Sequence, residues 1–280
     1  MYRKVRLLLI LSCLAVFGQT FAQFDDPKTL EVGPHGGISY YMGDLNPVYP
    51  FAMFDLQYGG LVRFNYDKRW TFRFDYSHAT VKGDDTKMKW RPERGLNFVT
   101  TINDFSLVAE FNFLEYYTGN PKKNVSPYIF GGISVFQYTP YAMVGDSLVG
   151  LRGIDTEGPE SANVKWYDRL SVKSSPVGVS IPFGLGVKLS ISRHMAATME
   201  WRMQKTFTNY LDDVATVYPE TSAVVEIDGT EYNLSDPTNT FKPGQQRGNS
   251  AFNDWFGMAR VSLTWKFNLP DGRGCNLSKF

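Results

Sequence analysis

The chain has 280 residues and a formal net charge of +1, with 15% aromatic residues, 25 glycines and two cysteines. Near-neutral charge argues against a nucleic-acid partner, which requires a basic face. Cysteines too few for a framework leave no zinc cluster or redox pair to expect.

The N-terminus reads as an export signal. Arg3, Lys4 and Arg6 precede an apolar run from Leu7 to Phe17, and Thr20 and Ala22 supply small residues at a cleavage site. The expected organisation is therefore a signal peptide over 1–22, an outer-membrane barrel over 23–267 and a periplasmic tail over 268–280. The run is too short for a spanning helix of about 20 residues. Cys13 in a lipoprotein box is the rival reading, but the apolar run continues past it. With Cys13 removed, Cys275 is the sole cysteine of the mature chain.

Beyond the signal, period-two alternation replaces any helical period. A glycine-rich strand is expected over 32–42. The next sets Phe54, Leu56, Tyr58, Gly60, Val62, Phe64 and Tyr66 against Asp55, Gln57, Gly59, Leu61, Arg63 and Asn65. Trp70, Phe72, Phe74 and Tyr76 then oppose Arg73 and Asp75, and Phe105, Leu107, Ala109 and Phe111 oppose Asp104, Ser106 and Glu110. In the fifth run, Tyr128, Phe130, Phe136 and Tyr138 are assigned to the apolar face. Val179 to Ile191 follows, then Met195 to Phe207 with Glu200, Arg202 and Gln204 opposite. The last run sets Trp255, Val261, Leu263, Trp265 and Phe267 against Arg260, Ser262, Thr264 and Lys266.

Each run is long enough to cross a bilayer at the tilt of a barrel strand, about 9–11 residues. Short connections (65–69 and 192–194) alternate with long polar ones (81–100, 139–176 and 209–253), as in outer-membrane barrels. The 115–126 connection falls on the short-turn side but exceeds a tight turn. Aromatic belts are expected from Tyr66, Trp70, Tyr128, Trp265 and Phe267 at one end and from Phe54, Tyr138, Phe207 and Trp255 at the other. The fold class is all-β: a closed, transmembrane antiparallel β-barrel of about eight strands in the cell outer membrane. A soluble barrel would bury the apolar face instead. The polar face carries Arg63, Arg73, Asp75, Asp104, Glu110, Lys188, Glu200, Arg202 and Arg260, an interior charge network that plugs a narrow lumen.

No catalytic constellation, cofactor motif or metal site is read from the sequence, and the chain is not expected to be an enzyme. His35 lies on the polar face and belongs to the interior network rather than to a triad. Asp212, Asp213 and Glu220, and separately Asp84 and Asp85, read as solvated acidic loops rather than calcium ligands. The glycine pairs at 36–37, 59–60 and 131–132 sit within strands, not before helices, so no phosphate loop is implied. Tyr116, Tyr117, Lys122 and Lys123 in the 115–126 connection, with Cys275 in the tail, read as an exposed partner-binding patch.

Four segments carry a family resemblance: EVGPHGGISYYMGDL (31–45), PYIFGGI (127–133), IPFGLGVK (181–188) and FTNYLDDVATVY (207–218). Together they resemble a family of small outer-membrane barrels of the Bacteroidetes, the PorG-like barrels associated with type IX secretion and gliding. The Tyr210, Leu211, Asp212 and Asp213 stretch is the most characteristic part. The resemblance implies a structural component of a protein transport machine. It would tether periplasmic ring proteins of the PorK/PorN kind to the outer membrane, with membrane lipid as the other partner. The alternative is a surface adhesin or receptor acting through its long extracellular loops.

Overall fold

A computed structural model describes residues 28–47, 49, 51–154, 156–157 and 177–269. The expected signal peptide (1–22) and most of the expected tail, Cys275 included, lie outside the described residues. Eight long strands form the wall: β1 (Thr29–Met42), β2 (Phe54–Asn65), β3 (Trp70–Asp84), β4 (Asn97–Asn112), β5 (Val125–Val144), β7 (Val177–Ser190), β8 (Met195–Thr206) and β11 (Trp255–Asn268). Short β6 (Ser147–Gly150) prolongs β5 as a hairpin, and β9 (Val224–Ile227) pairs with β10 (Thr230–Asn233) above the wall. Neighbours pair antiparallel in the order β4-β3-β2-β1-β11-β8-β7-β5, and the β4–β5 pairing closes the ring. A closed ring leaves no wall strand with an unpaired edge, which hydrocarbon would penalise.

Alternation sets the two faces. Leu56, Phe72, Phe74, Leu107, Ile133, Leu185, Met199 and Val261 point outwards and are exposed. Arg63, Arg73, Asp75, Glu110, Arg202 and Arg260 point inwards and are buried. Apolar outside and ionic inside is the reverse of a soluble barrel, and only a surrounding bilayer makes it favourable. The chain is an outer-membrane barrel. Short turns close one end: the Asp67 carboxylate accepts the backbone N–H of Arg69 at 2.6 Å and of Trp70 at 2.7 Å. Side-chain capping of this kind favours a tight turn. The long connections sit at the opposite end, the side on which outer-membrane barrels carry their extracellular loops.

Strand β5 departs from the expected phase. Tyr128, Phe130, Phe136 and Tyr138 face the lumen and are buried, while Ile129, Ile133 and Val135 face lipid. The cause lies on the neighbouring strand. A Cβ on Gly178 would stand 2.5 Å from the Phe136 ring, one on Gly184 would stand 2.8 Å from Phe130, and one on Gly186 would stand 2.8 Å from Tyr128. Inward glycines on β7 make room for inward rings on β5, and alternation alone cannot assign a strand whose two faces are both apolar. Tyr128 and Tyr138 therefore leave the expected belts.

The strands also run further outwards than expected. β3 reaches Asp84 and β4 begins at Asn97, so the connection is 85–96 and contains a short helix, α1 (Asp85–Met88), and a 3-10 turn (Pro92–Arg94). β5 likewise continues to Val144 rather than ending at residue 138.

Candidate functional site

The lumen is filled by side chains at three levels. At mid-height, Arg73 pairs with Asp75 at 2.8 Å, Glu110 at 2.5 Å and Glu200 at 2.7 Å. Arg260 reaches Asp75 at 3.1 Å and Glu200 at 2.7 Å, and Arg202 reaches Asp104 at 3.3 Å. All nine charges expected inside thus meet in one cluster, with Arg63 joined to Glu110 at 3.2 Å and Lys188 joined to Glu110 at 2.6 Å. Two further residues join it. Glu31 pairs with Arg63 at 3.0 Å. The Tyr128 hydroxyl donates to Glu200 at 2.7 Å. Glu31 stands in the polar phase of its strand, which is the signal the sequence offers. His35 also lies in the cluster, 3.0 Å from the Tyr76 carbonyl and 3.3 Å from Arg260.

The periplasmic mouth is stoppered by the 113–124 connection. Tyr116 is only 4% exposed, and the Thr118 hydroxyl donates to Glu31 at 2.6 Å. Lys266 lies over the Tyr117 ring, 4.8 Å from its centre, and donates to the Thr118 carbonyl. Gly119 is held at a φ of +92°, and a Cβ there would fall 2.5 Å from the Arg193 carbonyl. That turn requires glycine for both reasons. The expected exposed patch is corrected accordingly: Tyr116 is turned into the barrel and Tyr117 is half-buried. Lys123 is paired with Glu115, and Lys122, Phe113 and Leu114 are exposed. Once the mouth is open to water, an aromatic ring gains more by filling it than by facing solvent.

The extracellular mouth is stoppered by the segment with the strongest family resemblance. Leu211 and Val214 are buried with Tyr41, Leu45, Phe98, Ile102, Phe136 and Phe256. Thr100 donates to the Leu211 carbonyl at 2.6 Å. Asp212 and Asp213 are buried rather than solvated and point to different partners, Asp212 to Tyr41 and Asp213 to Thr156. Asp85 is buried as well, at 2.6 Å from Arg94. Burial nevertheless pushes its carboxyl up to about 6, with the Arg94 guanidinium opposing the shift.

Two arginines bind the outer loops together. Arg94 donates to the Arg247 carbonyl at 2.8 Å and the Asp44 carbonyl at 3.0 Å. Arg247 meets Glu157 at 3.1 Å and the Asp213 carbonyl at 2.6 Å. Beside this cap lies a cavity of about 230 Å³ between the β5–β6 and β9–β10 hairpins, walled by Leu96, Val144, Leu151, Leu234, Asp212 and Arg247. Among the described residues, no group of three or more His, Cys, Asp or Glu side chains is arranged to hold a metal ion.

Comparison with solved structures finds similar small barrels. The N-terminal β-barrel domain of OprF from Pseudomonas aeruginosa is 13% identical, covering 85% of this chain and 97% of its own, with a TM-score of 0.37. Neisserial surface protein A is 10% identical, with 86% and 100% coverage and a TM-score of 0.39. A major outer-membrane protein of Thermus thermophilus is 10% identical, with the same coverage and a TM-score of 0.40. No curated protein matches the chain. The model of one family matches residues 5–149, more than half of the sequence, and the chain belongs to that family, described as a domain of unknown function, DUF6089.

Proposed function

We propose that this barrel is a structural, non-catalytic and non-conducting component of a protein secretion machine of type IX. In this reading it anchors periplasmic ring proteins of the PorK/PorN kind to the outer membrane. The observation that carries a structural role is the filling of the lumen by the ion cluster and by a stopper at each end. A barrel blocked at three levels acts through its surfaces rather than through its bore. The secretion assignment is supported by the resemblance of residues 207–218 to PorG-like barrels. That segment is the outer stopper, so its sequence is constrained by packing inside the mouth. On the periplasmic side, Lys122, Phe113 and Leu114 are exposed and available to a partner.

A surface receptor is the second reading, and the cavity in the outer cap favours it. Deleting the gene separates the two. Loss of secretion of many unrelated cargo proteins is the expected result. Intact secretion with loss only of attachment or of ligand uptake would replace the anchor by the receptor.

A further inference from the structure

The outer stopper is held by an arrangement that is one proton short. The Tyr41 hydroxyl lies 2.5 Å from Oδ2 of Asp212 and 2.7 Å from Oδ1 of Asp254. A phenol has a single proton and can donate it to one of them. The other contact, oxygen to oxygen in a buried site, is attractive only if that carboxyl has a proton of its own. The remaining oxygens are already occupied: Asp254 Oδ2 accepts the Leu211 N–H, and Asp212 Oδ1 accepts the Val214 N–H, each at 3.0 Å. Together these four contacts fix the segment that fills the mouth.

Among the described residues, the surrounding charges do not supply a counterion. Asp44, from the β1–β2 connection, adds a third carboxylate and accepts the Asn249 N–H at 2.6 Å. Arg94 is paired with Asp85, and Arg247 is paired with Glu157. From β5, the Tyr138 hydroxyl lies 3.4 Å from Thr208, and Arg152 donates to the Tyr138 carbonyl. Asp213 accepts from Thr156 on its far side.

We propose that the outer stopper is a proton-held latch, in which one proton shared among Tyr41, Asp212 and Asp254 pins residues 209–216 in the barrel mouth and its loss frees them. Burial, reinforced by Asp44, pushes the Asp254 carboxyl up to about 8. Burial and then Asp254 raise Asp212 well above the usual carboxylate range. A carboxyl raised on folding stabilises in full below its ordinary range near pH 4, and that contribution is lost as pH rises through about 8. The latch is therefore tightest in acid, weakens steadily as pH rises from about 4, and is released by about pH 8. It does not depend on the secretion reading.

Hydrogen exchange at the Leu211 and Val214 amides tests this, using the full chain in lipid vesicles and correcting for intrinsic exchange. Protection is expected to fall by about tenfold per pH unit for each proton held, between about pH 4 and about 8, and to level off above that. Asp254→Asn should abolish the fall. Its amide can donate to the Tyr41 oxygen and still accept the Leu211 N–H, as the protonated acid does. Asp212→Asn provides the same substitution from the other side should the first variant fail to assemble. Flat protection in the wild type, or a parallel fall in the assembled amide variant, overturns the latch. Restoration of wild-type protection by calcium at high pH also overturns it, because a cation and not a proton would then join the carboxylates.

Discussion

Inside the wall, Glu31, Asp75, Asp104, Glu110 and Glu200 share their cluster with Arg63, Arg73, Lys188, Arg202 and Arg260. Lys266 is buried nearer the periplasmic end. Among the described residues of the cap, the buried carboxyls are Asp85, Glu157, Asp212, Asp213, Asp236 and Asp254, and the buried cations are Arg94 and Arg247. The lumen lies at the depth of the hydrocarbon, where an uncompensated ion is expensive, and each carboxylate there has a cation within reach. The cap stands in water above the bilayer and tolerates an acid excess by holding protons. Charge balance makes the lumen a permanent filling, while imbalance makes the cap sensitive to pH.

The largest expected effect comes from breaking the balanced region. Arg73→Leu removes the cation shared by Asp75, Glu110 and Glu200 and should lower unfolding stability in lipid by about 3–5 kcal/mol. A loss below about 1 kcal/mol would mean that the cluster does not depend on pairing. A smaller effect is expected from neutralising a cap acid. Because the Asp85 carboxyl is raised to about 6, its contribution is complete below pH 4 and lost as pH rises through 6. Asp85→Asn should flatten the pH dependence of cap unfolding over that window, a difference of about 1–2 kcal/mol after allowance for solvent screening. An unchanged slope would show that Asp85 does not hold a proton there.

The difference between these regions also explains what could be read in advance. Strand number, closure and the interior charges follow from alternation, because a bilayer outside and ions inside give each face its own composition. Glu200 and Arg202 are two apart on β8 and point the same way without further information. The cap has no such period. Arg94 reaches Arg247 across 153 positions and Tyr41 reaches Asp254 across 213, and no local spacing encodes those meetings. The β5 phase was lost for a related reason, since the room for its rings comes from glycines on β7. The connection expected over 115–126, longer than a turn, spans 113–124 in the structure. Whether its aromatics faced a partner or the barrel depended on the size of the opening beneath them.

The filled lumen is tested most directly by conductance. Purified full-length protein would be inserted into planar bilayers at neutral pH, where the balanced cluster and both stoppers are in place. The expected record is insertion without stepwise current. Stable, reproducible single-channel steps from the folded barrel would show an open path past Arg73, and the structural role derived from a blocked bore would fall with it.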